Sequence, residues 1–216
     1  MLEYEDLLKT EVHENKEALI EVNDISPLIV CRPVNQDMQP FTGDRMLLRS
    51  GAAERLVQAA RNIYEETPGT LLLLGYAYRS SEVQKRYFNE VRAAIAAREP
   101  DLEEFELCRR VHRLVACPDV AGHPSGGAVD VTLYREGGDL EMGSGFVDLK
   151  SELLIPTFSA LINSFARENR LLLRRGMLKA GFAPFDGEWW HFSYGDREWA
   201  AYYGRKTALY GPCRPA

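Results

Sequence analysis

An α+β fold is predicted: a single domain over residues 1–216 in which a mainly antiparallel sheet is flanked by helices. Three observations carry this expectation. Apolar residues recur at helical spacing over Ser50–Glu66, onward from Ser81, and between Pro156 and Ala180. Apolar runs of strand length occupy Thr70–Tyr76 and Ala128–Tyr134. Near the end of the chain, Phe182–Phe185 and Trp189–Tyr194 flank Asp186-Gly187, a turn pair that joins neighbouring antiparallel strands. A chain of 216 residues is most simply one domain with a core of ordinary size.

Taken in order, residues 1–24 are charge-rich and open with a short helix. Ser26-Pro27-Leu28-Ile29-Val30 reads as an edge strand, since proline has no N–H to give to a ladder. Asn35–Asp44 is a loop punctuated by Pro40 and Gly43. Ala53, Leu56, Val57, Ala60, Ile63 and Tyr64 make the apolar stripe of a helix that Pro68-Gly69 ends. The unbroken run that follows suits a central strand. Ser81-Glu82-Val83-Gln84 has the capping-box pattern and opens a second helix, whose core face is Val83, Tyr87, Val91, Ala94 and Ile95. Glu99–Pro118 is a connector with a helix around Leu102–Leu114. Gly137–Gly145 holds four glycines and reads as a loop able to line a pocket. Pro156–Ala180 is a long helix or a broken pair. Its stripe of Leu161, Ile162, Phe165, Leu172, Leu173, Met177 and Leu178 is packing rather than a cofactor box, and Gly181 sits where a helix C-cap glycine would. The aromatic tail Trp199–Tyr210 packs back on the domain. Internal repeats, low-complexity segments and linkers are absent from the sequence.

Composition removes several function classes. Lys and Arg number 26 against 32 Asp and Glu, a formal charge of −6 that argues against a nucleic-acid partner. A membrane span is also not expected, because no run of about 18 apolar residues occurs. The acidic start Met1-Leu2-Glu3-Tyr4-Glu5-Asp6 lacks the basic and apolar blocks of a signal peptide, so a cytoplasmic location is expected. Cys31, Cys108, Cys117 and Cys213 have no C-x-x-C spacing and fit reduced thiols in that compartment.

The chemistry concentrates in two stretches, His123-Pro124-Ser125-Gly126-Gly127-Ala128-Val129-Asp130 and Glu188-Trp189-Trp190-His191. Together they hold two of the chain's four histidines and two carboxylates. Zinc takes such nitrogen and oxygen ligands, and a catalytic site uses three and leaves the fourth position to water. Gly126-Gly127 argues against a helix, which places His123 in a turn and Asp130 on the strand it enters. Glu188 and His191 are three residues apart and would point to opposite faces of a regular strand, so the chain must bend or bulge between them. His123, Asp130 and His191 are read as ligands to one zinc, with Glu188 kept off the metal to take a proton from water. Taken singly, these residues have plainer readings: a turn histidine, a turn-capping aspartate, a solvated glutamate. However, Glu188 and His191 lie among Trp189, Trp190 and Phe192, where unpaired polar groups are costly to bury. His13 and His112 are read as solvated residues, and Arg79 as a cation between the strand and the second helix.

The pattern His123-x-x-Gly126-x-Ala128-x-Asp130 followed by Glu188-x-x-His191 resembles the D-alanyl-D-alanine dipeptidases of the VanX type and their zinc D,D-carboxypeptidase relatives. The likeness extends to Phe41-Thr42-Gly43, Gly75-Tyr76-Ala77-Tyr78-Arg79 with Gln84, Met142-Gly143, Asn169-Arg170 and Met177-x-x-x-Gly181-Phe182, spanning roughly residues 40–195. It implies a small α+β zinc peptidase with one Zn²⁺ per chain, acting on D-Ala-D-Ala or a related dipeptide of D-amino acids. By resemblance zinc falls to His123, Asp130 and His191, base duty to Glu188, and stabilisation of the transition state to Arg79. The chain departs from the pattern at three places. Ala121 stands where the family usually carries Ser. Glu141 replaces the Asp before Met142-Gly143, and it is the candidate to receive the substrate's ammonium, with Asp148 as the alternative carboxylate. Val147 separates Phe146 from Asp148. Ala121 and Glu141 are thus expected substrate contacts. The alternatives to a dipeptidase are a D,D-carboxypeptidase on longer peptidoglycan-type peptides and a catalytically silent zinc protein.

Overall fold

A computed structural model describes residues 4–215. The first half runs α1 (Tyr4–Leu8), β1 (Glu11–Val12), β2 (Leu19–Glu21), β3 (Ile29–Cys31), α2 (Gln39–Thr42), β4 (Leu47–Arg49), α3 (Ser50–Glu66) and β5 (Leu71–Tyr76). There follow α4 (Ser81–Arg98), α5 (Glu104–His112), a single 3₁₀ turn (His123–Ser125), β6 (Ala128–Arg135) and β7 (Gly138–Asp139). The chain ends with α6 (Ser164–Lys179), β8 (Ala183–Pro184), β9 (His191–Ser193), α7 (Arg197–Tyr202) and β10 (Thr207–Ala208). The α+β class holds, but the sheet expectation needs correcting. The six-stranded sheet, in order β3-β5-β6-β9-β8 with β7 beside β6, is mixed, because β3 runs parallel to β5. The chain reaches β5 from β3 through a long excursion containing α3, and such a crossover returns the second strand in the same direction.

Leu72, Leu73 and Leu74 of β5 and Val129, Val131 and Leu133 of β6 are fully buried, as suits strands covered on both faces. Helix α3 offers Ala52, Ala53, Leu56, Ala59, Ala60 and Ile63 to the core and packs closely on α6. A Cβ at Gly176 of α6 would lie 2.4 Å from Ile63 Cγ1, so glycine permits that approach. A second, smaller cluster of Leu7, Phe88, Leu107, Val111, Cys117 and Val120 ties α4 and α5 together at the other side.

Several local expectations change. Helix α4 is capped by Ser80, whose Oγ accepts from Val83 N–H at 3.2 Å, and not by a Ser81 box. Gln84 is free for other partners as a result. Phe88, outside the expected stripe, is buried, whereas Ala94 is exposed. On α6 the buried face is Ala166, Arg170, Leu172, Leu173, Gly176 and Met177, and Leu161 and Phe165 face solvent. The helix starts at Ser164, with Asn163 Oδ1 accepting from Ala166 N–H at 2.9 Å, so Leu161 precedes it. The tail packs back as expected, with α7 followed by β10, which pairs in parallel with β1. All four cysteines are free. Among the described residues no helix is long and apolar enough to cross a membrane. Met1, Leu2 and Glu3 of the acidic start lie outside the described residues.

Candidate metal centre

Three separate devices bring the two sequence stretches together. First, β6 and β9 pair antiparallel with Asp130 directly opposite His191, so the two side chains share one face. Second, the 3₁₀ turn returns His123 beside Asp130, with Gly126 at φ 76 ending it. A Cβ on Gly127 would lie 2.1 Å from the Tyr194 carbonyl oxygen, so only glycine lets the turn approach β9. Third, the segment between β8 and β9 is a turn rather than a continuous strand. His191 N–H donates to Glu188 O at 3.0 Å and Glu188 N–H to Phe185 O at 2.9 Å. This is the bend that the spacing of Glu188 and His191 demanded, and it is wider than a two-residue Asp-Gly hairpin.

His123, Asp130 and His191 each offer a ligand atom, and these atoms all lie within 4.8 Å of one another. His123 Nε2 is 3.3 Å from Asp130 Oδ2 and His191 Nδ1 is 3.0 Å from Asp130 Oδ1. Ligands on a tetrahedral ion at roughly 2.0–2.2 Å sit about 3.4 Å apart, so the cluster fits such an ion. The three side chains are buried. Asp130, Glu188, Asp196 and Glu198 crowd carboxylates around them, an arrangement that a divalent cation would stabilise.

The electrostatics follow from burial and these neighbours. Burial raises the Asp130 carboxyl, but His123 and His191 outweigh it and hold it well below the usual carboxylate range. Burial also opposes charge on both imidazoles. It prevails at His123, whose pKa is lowered despite Asp130. At His191 the Glu198 and Asp130 carboxylates win and the pKa is raised well above the usual value. Burial pushes Glu188 up to about 7, against the pull of His191. Its Oε2 accepts from Trp190 Nε1 at 3.1 Å.

The cluster floors a cavity of about 330 Å³ that also receives Arg79, Gln84, Ala121, Glu188 and Glu198. The Arg79 guanidinium lies over the Tyr76 ring, 4.4 Å from its centroid, and donates to Gln84 Oε1 at 2.9 Å, while its Nε is buried without a hydrogen-bond partner. Arg79 N–H also donates to His123 O at 3.2 Å, which ties the arginine to the His123 turn.

Glu141 is not brought to this cavity. It is exposed, binds Asn163 Nδ2 at 2.6 Å and lies in a separate depression beside Phe146 and Trp189. The cavity wall from that loop is Val147, held at φ 55, with Leu149; the Asp148 Oδ1 next to it caps Lys150 N–H at 3.0 Å. A motif position on a loop does not fix which way its side chain faces, because loop residues have no regular periodicity. His112 is half-buried, lines the cavity and accepts from Cys117 N–H at 3.2 Å through Nδ1, so it is not the solvated residue its helix position suggested. Sequence reasoning also missed Glu198, whose only signal was a carboxylate in the first turn of a short C-terminal helix.

A family model described as Peptidase_M15, D-ala-D-ala dipeptidase, matches residues 29–208. The chain is 30% identical over 195 residues to a D-alanyl-D-alanine dipeptidase of Synechocystis sp., covering 76% of this chain and 78% of that protein. It is 34% identical over 95 residues to a D-alanyl-D-alanine dipeptidase of Enterococcus faecalis, covering 43% and 44%. Among solved structures it is similar to the vancomycin-resistance D,D-pentapeptidase VanY in complex with Zn(II), at 19% identity and a TM-score of 0.40 over 72% of this chain and 76% of that one. On the family match and the Synechocystis relative, the chain belongs to the Peptidase_M15 D-Ala-D-Ala dipeptidase family and is a metallopeptidase.

Proposed function

We propose that the chain hydrolyses D-Ala-D-Ala or a related D-amino-acid dipeptide, with zinc held by His123, Asp130 and His191. The observation that carries this reading is the buried two-nitrogen, one-oxygen cluster with the unliganded Glu188 carboxylate in the same cavity. A zinc ion there would act as a Lewis acid, polarising a carbonyl and lowering the pKa of a water from 15.7 toward about 7. Glu188, poised near neutrality, takes the proton from the attacking water and returns it to the leaving amine nitrogen. Arg79, tied by its N–H to the His123 turn, donates to the oxyanion that forms at the tetrahedral carbon. Ala121, Val147 and Phe185 shape the apolar walls against which small side chains rest. Closed structural sites rarely keep an uncoordinated glutamate beside the ion, which favours an enzyme over a silent zinc protein.

The position of Glu141 favours a second reading. With that carboxylate outside the cavity, a longer peptide whose N-side carries no free ammonium becomes a competing substrate. Digestion of D-Ala-D-Ala beside an N-blocked analogue and a longer D-Ala-D-Ala-ended peptide separates the two. Cleavage of the free dipeptide alone is the expected outcome. Cleavage of the longer chain would transfer the assignment to a carboxypeptidase, and no cleavage of any would leave a silent protein.

A further inference from the structure

A histidine has two ring nitrogens, and the one that meets a metal must be without its proton. At His123 the choice is made by Ala77. Nδ1 lies 2.7 Å from that carbonyl oxygen, which can only accept, so Nδ1 carries the hydrogen and Nε2 turns its lone pair toward Asp130. At His191 the geometry is the reverse. Nδ1 faces Asp130, and Nε2 lies 3.1 Å from Glu198 Oε2. The same carboxylate oxygen accepts from Ser193 Oγ at 3.1 Å, so it is fixed from two directions. Ser193 is fully buried and Glu198 is 8% exposed. Asp196 sets the start of α7, its Oδ1 accepting from Trp199 N–H at 3.0 Å, and this places Glu198 in the first helical turn, over the imidazole.

We propose that Glu198 is the positioning residue of the metal centre: through Nε2 it fixes the tautomer and ring angle of His191 so that Nδ1 faces the ion. The inference rests on the metal-site reading above and goes beyond it, because Glu198 lies outside the two motif stretches His123–Asp130 and Glu188–His191 and is itself no ligand. The cost of building it is a buried carboxylate beside Asp196, which is also buried. The return is a ligand that needs no reordering when metal arrives. Carboxylate partners of ligating histidines commonly contribute 10- to 100-fold in metal affinity.

Zinc affinity by chelator competition, together with the His191 ring-nitrogen NMR pattern of the metal-free protein at a pH high enough that the ring holds a single proton, tests this. Wild type should bind one zinc and show the Nε2–H form. Glu198→Ala should weaken zinc by about 10- to 100-fold and lose that pattern. Glu198→Gln, whose amide oxygen still accepts, should keep the pattern and lose affinity only several-fold. A merely structural role would lower the melting temperature and leave the tautomer alone. Wild-type affinity and an unchanged tautomer in Glu198→Ala would overturn the proposal. Should that variant not fold, Glu198→Gln decides, and undiminished zinc affinity in it counts against the idea. Failure of wild type to take up zinc would instead defeat the metal-site reading, and the tautomer measurement would still judge Glu198.

Discussion

Glu188 and His191 are separated by two tryptophans, and their different fates come from what each carboxylate or ring nitrogen can touch. Glu188 is half-buried with Trp190 Nε1 as a partner, and desolvation pushes it up to about 7, whereas Asp130 sits between two imidazoles that hold it well below the usual carboxylate range. On the proposed mechanism these two carboxyls divide into a proton carrier and a ligand, because a group near pH 7 can both accept and donate. Replacing Glu188 by Gln should cut kcat by about 10²- to 10⁴-fold with a full equivalent of metal retained. Replacing His191 by Ala should remove metal and activity together. Metal analysis beside steady-state kinetics reads both, and loss of metal from Glu188→Gln would make Glu188 a ligand.

The β6–β9 ladder is the element on which the centre depends. Asp130 meets His191 because the register runs Ala128↔Ser193, Val129↔Phe192 and Asp130↔His191. A slip of one residue would turn one of the two to the opposite face. That register starts at Gly127, whose O accepts from Tyr194 N–H at 3.0 Å. Gly127→Ala forces a methyl into the Tyr194 carbonyl, so β9 must move. Overpacking of this kind costs about 1–3 kcal/mol, and the His191 ligand moves with the strand. Urea unfolding should show a lower midpoint at unchanged slope, with weaker zinc binding. A variant with wild-type stability and affinity would show that the turn tolerates displacement.

For the molecule as a whole, the titrating groups of the candidate centre make stability depend on pH. Glu188 has its pKa raised in the fold from 4.5 to about 7. A carboxyl raised in this way gives its stabilisation below the unfolded value and loses it as pH rises through the folded value. The metal-free protein should therefore lose stability on this account between about pH 4.5 and 7. Asp130 acts in the opposite sense: its lowered pKa gives stability above 3.8 that is lost as pH falls. Melting of chelator-treated wild type and Glu188→Gln across this range isolates the first effect. The variant should gain on wild type as pH rises, and parallel curves would show that Glu188 is not held neutral by burial. Adding zinc should raise both melting temperatures, since a ligand of the native state alone shifts unfolding by mass action.

The residues alone were enough to specify the α+β class, helix α3 over Ser50–Glu66, the strand entering at Ala128 and a bend that lets Glu188 and His191 share one cavity with His123 and Asp130. Each rests on a local rule: the 3.6-residue period, a glycine that forbids helix, or polar groups too costly to strand among tryptophans. The parallel pairing of β3 with β5 was not legible, because strand direction is decided by where the crossover through α3 lands. Nor was the outward turn of Leu161 and Phe165, since the start of α6 is set by the Asn163 cap. The placement of Glu141 outside the cavity and of Glu198 inside it was not legible either. Side chains on loops and short terminal helices have no periodicity that fixes their direction, so only the packing of α7 against β8, β10 and α1 put Glu198 on His191, and only the path of the Gly137–Gly145 loop took Glu141 away from the cavity.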